Sequence, residues 1–453
     1  MTTRDTTAPP AHDVDATVAG GTAERGVDGP VPAIAATVRE PLGRRFAVHL
    51  TGVGIANLAD GLILVGVPLV AITLTRSPGQ ISLIQVAFWL PWLLLGMVAG
   101  VVVDRSDRRH VQLVGGAARL AVVAGLAALA VTDNLSIPLL VAGVGLYGVT
   151  QVFVDLAGSS IVPQLVPRSR LTAANGRVMG LEQIGTNFLG APVAGFLVAA
   201  GAGWVFGIPV ALGLAFLLVL GLGMRGDFRP RRSAPTEPVG GRLQQVLEGL
   251  RLQVRHPVLR PLLIAQSVLN FASTAYFAVF VLWMVGAESA VGMTPERYAM
   301  LAALLAVGAI VGSFLAEHVS RWLPEVPVLI GSWAIQFGAL LVPVLVPEPW
   351  AIGIALVVVG LLNMIGNVVT RTLRQRLIPA DALGRVGGAG GMIGYGLMPL
   401  GALAGGLVGE LWGLPAVFVG TVVLALVVVA YVATRISSRL VAAHEIEHDD
   451  VVA

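Results

Sequence analysis

The sequence contains no cysteine, and all 29 of its basic residues are arginines, because lysine is absent as well. Without cysteine the chain has no disulfides, no thiolate metal sites and no cysteine nucleophile. Without lysine it cannot contain the phosphate-binding motif GxxxxGK[ST], which excludes ATP coupling through that motif. The 7 histidines are scattered without HExxH or other paired-ligand spacing. The sequence therefore predicts no metal site and no cofactor, and it does not indicate an enzyme.

Charged residues are scarce as well. They make up 12% of the chain, whereas 56% of the residues are hydrophobic and 56 are glycines. Soluble domains carry about 25% charged residues, so this composition indicates a membrane protein. The formal net charge is +3, but the arginines stand in short loops between apolar runs and form no basic stripe. No nucleic-acid partner is therefore expected.

Apolar segments recur from Phe46 onward, each about as long as the twenty residues that cross about 30 Å of hydrocarbon as an α-helix. The sequence thus predicts an all-α polytopic membrane protein, with lipid as its surroundings. Its twelve transmembrane spans are predicted at 46–73, 81–103, 111–132, 137–158, 174–199, 204–224, 260–285, 298–317, 326–346, 350–371, 386–409 and 414–434.

The spans divide the chain into two bundles with tails and a linker. Apolar residues from Leu243 to Val254 recur at helical spacing, which predicts an amphipathic linker helix, lying on the membrane surface or packed beneath the bundle. The predicted units are a disordered cytoplasmic tail at 1–44, a six-helix bundle at 45–224, a cytoplasmic linker at 225–259, a second six-helix bundle at 260–435 and a cytoplasmic tail at 436–453.

The positions of the arginines predict the orientation. The loops at one end of the spans carry most of them, including Arg44, Arg108 and Arg251, while the opposite loops carry Arg76 and Arg297. Under the positive-inside rule the arginine-rich end and both termini are cytoplasmic. Because the composition is typical of a GC-rich bacterial genome, we expect a multi-pass protein of the bacterial inner (plasma) membrane.

The chain repeats itself with a period of about 212 residues. The segment Gln164–Pro167 is echoed by Arg376–Pro379, and Gly100 is echoed by Gly312 at the same offset. Such repeats indicate two bundles of like orientation with a substrate held between them near the middle of the membrane.

The loop after the second span reads Gly-Val-Val-Val-Asp-Arg-Ser-Asp-Arg-Arg from Gly100 to Arg109 and resembles the G-x-x-x-D-R-x-x-R-R signature of the major facilitator superfamily. The resemblance implies a cytoplasmic gate, in which Asp104 caps a helix N-terminus and pairs with an arginine, and Asp155 pairs with Arg108. The alternative is that these charges only anchor a loop in the headgroups. The predicted gate residues are Gly100, Asp104, Arg105, Arg108, Arg109 and Asp155.

Further segments resemble the branch of this superfamily that contains the enterobactin exporter and macrolide-efflux proteins. They include Leu58–Gly61 in the first span, Leu165–Pro167 after the fourth and Arg255–Pro257 before the seventh. The resemblance implies a twelve-helix fold of two bundles and proton-driven efflux of small amphipathic molecules.

The fifth span is similar to the G-P-x-x-G-G antiporter motif of exporters. Gly190, Pro192 and Gly195 match it, but Ala191 and Phe196 replace two of its glycines. The alternative is that these small residues only permit close helix packing, without meaning for the direction of transport.

Ionisable residues inside the spans are costly, at least about 2.5 kcal/mol for an acid at the centre of a membrane helix. Asp60 lies roughly 21 Å into the first span at about 1.5 Å per residue, and is the first candidate for proton coupling. Glu182 in the fifth span is the second. Asp60 could instead be a structural carboxylate bonded to a neighbouring helix. Arg119 in the third span is expected to snorkel to the interface, and substrate binding is the alternative.

Polar residues at intermediate depth predict a cavity for a small amphipathic molecule. For each alone, interhelical hydrogen bonding is the more common role. The candidates are Asn57, Gln85, Gln183, Asn187, Asn270, Tyr276, Asn363 and Asn367.

Together these features predict a proton-coupled efflux transporter that works as a monomer by alternating access. The alternatives are a proton-coupled importer on the same fold and a non-transporting membrane sensor or assembly partner.

Overall fold

The computed structural model describes residues 42–167, 170–229, 242–378, 386, 390 and 393–444. Nearly all of the predicted N-terminal tail, part of the predicted linker and the end of the predicted C-terminal tail lie outside these residues. From Leu42 onward the chain forms one compact unit.

The first half contains six consecutive membrane helices. The fifth, α5, is continuous but contains a stretch of π-helix. Their bounds are α1 Arg44–Leu74, α2 Pro78–Arg105, α3 Arg108–Val131, α4 Ile137–Leu165, α5 Leu171–Gln183 with Ile184–Gly190 and Ala191–Ala200, and α6 Ala202–Gly223.

The second half follows the linker helix α7 and ends with the short helix α14. Its bounds are α7 Arg242–Arg255, α8 Leu259–Met284, α9 Pro295–Trp322, α10 Glu325–Ala339 with Val342–Leu345, α11 Pro349–Leu377, α12 Met398–Trp412, α13 Leu414–Arg435 and α14 Ser438–Ala442.

Each predicted span contains a helix, so the all-α membrane fold is confirmed. Within the described residues, 11 helices are long and apolar enough to cross a membrane. The remaining span corresponds to α12, and residues 387–389 and 391–392 of that span lie outside the described residues.

The two halves repeat the same packing. In the first half α1 packs against α6 and α2 against α4, and in the second half α8 packs against α13 and α9 against α11. Gly148 of α4 lies against Phe88 O of α2, and Gly360 of α11 lies against Leu305 O of α9, in both cases without room for a Cβ atom. These glycines occupy equivalent positions in the sequence repeat, so the repeat corresponds to two equivalent bundles.

The halves meet mainly through two helix pairs, α2 with α12 and α5 with α9, and α1 and α2 also contact α8. Gly406 of α12 packs on Ser82 of α2. Gly195 of α5 packs on α9, where an ideal Cβ added to Gly195 would lie 2.6 Å from the Cβ of Ala299. In the connecting loops, Arg76 Nη1 donates to Val285 O at 2.8 Å. All three contacts lie at the end that the arginine distribution predicts to be external. We call it the outer end, and in the predicted orientation the halves close there and face inward.

The linker helix α7 packs against the second half with one face. Gln253 is buried and its Nε2 donates to Val386 O at 2.9 Å. Leu247, Val254 and Arg251 are exposed on another face. The Gln253 face thus packs against the bundle, which is one of the two predicted placements. The exposed face is apolar and basic, a composition typical of a helix on the membrane surface.

Candidate functional site

A buried charged cluster joins α1, α3 and α4 in the first half. The hydroxyl of Tyr147 donates to Asp60 Oδ1, and Arg119 Nη2 donates to Tyr147 Oη and forms an ion pair with Asp60. The guanidinium carbon of Arg119 lies 4.3 Å from the centroid of the Tyr147 ring. The side chains of Arg119 and Asp60 are only 11% and 12% exposed. We call these three residues the buried triad.

The prediction that Arg119 snorkels to the interface is wrong. Arg119 lies about 16 Å into α3 at about 1.5 Å per residue, and its side chain turns into the bundle. An ion pair in the apolar interior offsets part of the cost of desolvating both charges. Asp60 is bonded to neighbouring helices, as its alternative role of a structural carboxylate requires. A proton-coupling role for Asp60 stays a prediction.

Tyr147 was not predicted as a site residue. It is fully buried in the middle of α4. The sequence does offer one signal for Tyr147. A buried tyrosine hydroxyl usually needs a hydrogen-bond partner, and the surrounding span offers few polar groups.

A small cavity lies beside the buried triad, between α1, α3, α4 and α6. Its volume is about 30 Å³, and Arg119, Tyr147, Gly116 and Phe216 contribute to its wall. A cavity of this size holds one or two water molecules when polar groups line it, and organic ligands need about ten times more. The cavity is therefore suited to water next to the triad and not to a transported molecule.

Asp155 lies near the same cluster. Gln151 donates a hydrogen bond to its carboxylate, and the charges that act on it are those of Arg119 and Glu182. The predicted partner Arg108 instead approaches Gln164, 2.5 Å from Nη1 to the amide oxygen in the orientation that satisfies both neighbours of that amide. Asp155 lies about 15 Å inside α4, too deep for the gate loop. The structure thus groups Asp155 and Glu182 with the buried triad.

In the gate loop, Asp107 caps the first turn of α3. Asp107 Oδ1 accepts from Arg109 N at 2.8 Å and from His110 N at 3.1 Å, and Oδ2 accepts from Phe228 N at 3.2 Å. Asp104 lies in the last turn of α2, which ends at Arg105, and its predicted capping of a helix N-terminus stays a prediction.

The other predicted gate residues stay near this loop. Gly100 is partly buried in α2, and Arg105 is exposed at its end. Arg109 Nη2 donates to Gly221 O of α6 at 2.9 Å. The loop is thus bound to the end of the first half, and its gating role stays a prediction.

Replacing Asp107 with alanine should lower the stability of the protein by about 1 kcal/mol near neutral pH. Burial raises the pKa of Asp107, but the bonds from Phe228, His110 and Arg109 lower it more, so the net pKa is below its usual value. A lowered pKa contributes stability above the unfolded-state pKa, and this is lost as the pH falls through the folded-state pKa. Thermal unfolding in detergent should therefore show the alanine variant and wild type converging at acidic pH.

Asp107→Asn is the matched control, because asparagine caps a helix without a charge. It should lose less stability than alanine at neutral pH. An alanine deficit that persists unchanged far below the usual aspartate pKa of about 4 would contradict the role of the Asp107 charge.

The antiporter-like motif shapes α5 next to Asp60. Gly190 lies against α1, where an added Cβ would be 2.7 Å from Gly61 Cα and 2.9 Å from Leu58 O. Pro192 has no N–H to bond within the helix, and Ala191 N bonds Thr186 O five residues earlier. This accounts for the π-helical stretch that ends at Gly190, a feature often found at functional sites.

Gly195 of the same motif serves a different contact. An ideal Cβ there would lie 2.8 Å from Pro295 O and 2.9 Å from Glu296 Cα, both in α9 of the second half. The close-packing alternative therefore describes what Gly190 and Gly195 do in this conformation. The direction of transport does not follow from it.

Four of the predicted cavity residues form two hydrogen-bonded amide pairs at positions that are not buried. Asn187 Nδ2 donates to Gln183 Oε1 at 2.8 Å on α5, and Asn367 Nδ2 donates to Asn363 Oδ1 at 2.9 Å on α11. These amides can exchange their mutual bonds for bonds to a ligand.

Other predicted cavity residues bond within the protein. Asn57 Oδ1 accepts from Thr186 Oγ1 at 3.2 Å, and Asn270 Nδ2 donates to Gly394 O at 3.1 Å. Gln85 lines a cavity of about 10 Å³ inside the first half, enough for one water molecule.

Tyr276 does not lie at a cavity surface. It is fully buried, its hydroxyl donates to Leu340 O at 2.9 Å, and its ring packs against Phe280 and Phe418. The cavity prediction for Tyr276 is wrong in this conformation, because α8 is apolar on most faces and its sequence does not distinguish a core face from a cavity face.

Comparisons with known proteins agree with this architecture. Residues 50–400 match the sequence model of the Major Facilitator Superfamily. The chain is 26% identical over 382 residues to the multidrug efflux pump Tap of Mycobacterium tuberculosis, covering 80% of this chain and 86% of that protein. It is 27% identical over 347 residues to the enterobactin exporter EntS of Salmonella typhimurium, covering 74% of this chain and 78% of that protein.

Solved structures show the same fold. The nucleoside transporter NupG superposes with a TM-score of 0.69 at 11% identity, covering 86% of this chain and 100% of that one. A bacterial homologue of the iron transporter ferroportin in an inward-facing state gives 0.66 at 15% identity, covering 87% and 100%. At these identities the likeness concerns the fold alone.

Proposed function

Because the chain belongs to the Major Facilitator Superfamily and is a multi-pass membrane transporter, we propose that it exports a small amphipathic molecule across the bacterial inner membrane in exchange for protons. The observation that carries the proton coupling is the buried triad. A carboxylate and a guanidinium held inside a membrane bundle are costly, and such pairs commonly mark ion or proton pathways.

Export is supported by the similarity to an efflux pump and an exporter. We infer that the exposed amides of Gln183, Asn363 and Asn367 line the space between the inward-facing halves. A substrate binding there contacts both halves, which then rock about it and expose it to the outside. Relatives that are named for multidrug efflux and for enterobactin suggest drugs and siderophores as the substrate classes to test.

The triad provides a way to couple protons to this motion. While Asp60 is ionised, it holds Arg119 in α3 against α1. A proton on Asp60 removes that attraction and leaves Arg119 with the nearby carboxylate of Asp155. Since Asp155 also interacts with Glu182 of α5, a change of partner by Arg119 would alter the forces between the helices of the first half. A single proton on Asp60 thereby stabilises one conformation more than the other, as coupling requires.

Transport by inverted membrane vesicles tests the proposal. Vesicles acidified inside should accumulate a panel drug that the cells resist, and a protonophore should abolish the accumulation. Tyr147→Phe should retain export at reduced rate, because it removes the hydroxyl between Asp60 and Arg119 but keeps both charges. Accumulation in right-side-out vesicles under an inward proton gradient would establish the importer instead. Absence of gradient-driven flux for every panel member in both orientations would contradict transport coupled to protons.

A further inference from the structure

At the outer end, a carboxylate of the second half binds the start of a helix in the first half. Glu410 lies in the last turn of α12, and its Oε2 accepts from Ser77 Oγ at 2.8 Å and from Gly79 N at 3.1 Å. Ser77 is also the N-cap of α2, where its Oγ accepts from Gln80 N at 3.2 Å. Both donors to Glu410 thus belong to the N-terminus of α2.

The negative charge of Glu410 suits this position. The first N–H groups of a helix have no intrahelical acceptor, and the helix dipole places partial positive charge there. Hydrogen bonds to an ionised carboxylate are stronger than those to a neutral carboxyl group. Protonation of Glu410 would therefore weaken its bonds to Ser77 and Gly79.

The outer end carries few other charged groups, among them the exposed acids Asp133 in the loop after α3 and Glu288 in the loop after α8. Arg76, in the loop before α2, is turned to Val285 O in the second half. Helices α8 and α13, which also pack against α12, carry no ionisable side chain at the outer end of their described residues. Glu296 and Arg297 belong to α9, which meets α5 on the other side of the interface.

The packing beneath Glu410 shows what its release would expose. Gly409 lies where an ideal Cβ would be 2.9 Å from Pro78 Cβ, and Gly406 packs directly on Ser82. Ser82 is 0% exposed. Because Glu410, Gly406 and Gly409 share one end of α12, α2 and α12 cannot separate at the outer end without breaking the Glu410 bonds and exposing Ser82.

We propose that Glu410, Ser77 and Gly79 form an outer latch that responds to protons from outside. Ionised Glu410 holds the two halves together at the outer end, and its protonation releases them and favours the outward-open state. The latch rests on the proposed function in one respect only, the orientation that places Glu410 on the outer side of the membrane. It adds a second proton-binding site, separate from the buried triad, that acts on the opening of the outer end.

The absence of cysteine permits a direct test on the full-length chain in right-side-out vesicles. Ser82→Cys is nearly isosteric and places one thiol under the latch. Its labelling by a membrane-impermeant maleimide should be slow near neutral pH and should rise severalfold as the external pH falls below the usual glutamate pKa of about 4.3, because the bonds from Ser77 and Gly79 favour the ionised carboxylate. Asn134→Cys, in the exposed loop after α3, corrects for the effect of pH on the reagent itself.

Added to Ser82→Cys, Glu410→Gln should give fast labelling that no longer depends on external pH, and Ser77→Ala should give an intermediate rate. Glu348→Gln changes another acid at the outer end, just before α11, and should leave the pH response intact. A pH response that survives in Glu410→Gln, or a slow rate equal to that of the parent, would overturn the latch.

The labelling requires neither a substrate nor a proton-driven flux. A latch that responds in a protein without proton-coupled export would therefore refute the proposed function and leave the latch in place. Conversely, normal export with labelling indifferent to Glu410 would refute the latch alone.

Discussion

Asp60→Asn is expected to abolish proton-coupled export and to lower the stability of the protein by about 3–5 kcal/mol. The reason lies in the partner that remains. Arg119 keeps its charge in an environment where its side chain is 11% exposed, and the nearby carboxylate of Asp155 offsets only part of the lost attraction to Asp60. Breaking a buried pair by removing one member is much more costly than removing both. Thermal unfolding in detergent and gradient-driven transport in proteoliposomes measure the two effects.

The double variant Asp60→Asn with Arg119→Met separates stability from function. Replacing both charges with groups of similar size should restore most of the lost stability, because the Arg119 charge that Asp60→Asn leaves without its main partner is removed as well. Transport should remain absent, since the proton-binding group is gone. If the double variant is no more stable than Asp60→Asn alone, the ion pair is not the source of the loss. If Asp60→Asn still exchanges protons for substrate, Asp60 is not the coupling residue.

The positions of the spans could be predicted from sequence because the bilayer imposes a length of about twenty apolar residues on each helix. The repeat could be predicted for a related reason. Gly148 and Gly360 occupy matching crossings, and a helix crossing without room for a Cβ atom tolerates only glycine. These features depend on local composition and spacing, which a sequence displays directly.

The partners inside the site could not be predicted in the same way. Asp60, Arg119 and Tyr147 stand on three helices, and their meeting depends on how each helix is rotated about its axis. Membrane helices are apolar on several faces, so their sequences specify rotation weakly. The long side chain of Arg119 could reach the interface or a buried partner, and only the position of Asp60 across the bundle decides between them. Tyr276 was misplaced for the same reason.

The motif in α5 leads to the second large effect, which concerns the equilibrium between the two open states. Gly195→Val is expected to shift that equilibrium towards the outward-open state by about 5–150-fold, which corresponds to 1–3 kcal/mol of overpacking. An added Cβ would lie 2.6 Å from Ala299 Cβ and 2.8 Å from Pro295 O. Pro295 O is backbone at the start of α9 and cannot move aside as a side chain would. This strain exists only while α5 and α9 are in contact at the outer end.

The shift should appear as faster labelling of Ser82→Cys, which lies on the other helix pair of the interface and does not touch Gly195. Gly190→Ala is the matched control from the same motif. Its added methyl group would meet Gly61 and Leu58 O, which belong to the first half. It should therefore lower stability without changing the labelling rate. Because rocking separates the halves but leaves the first half intact, equal labelling of the Gly190 and Gly195 variants would mean that the α5–α9 contact does not close the outer end.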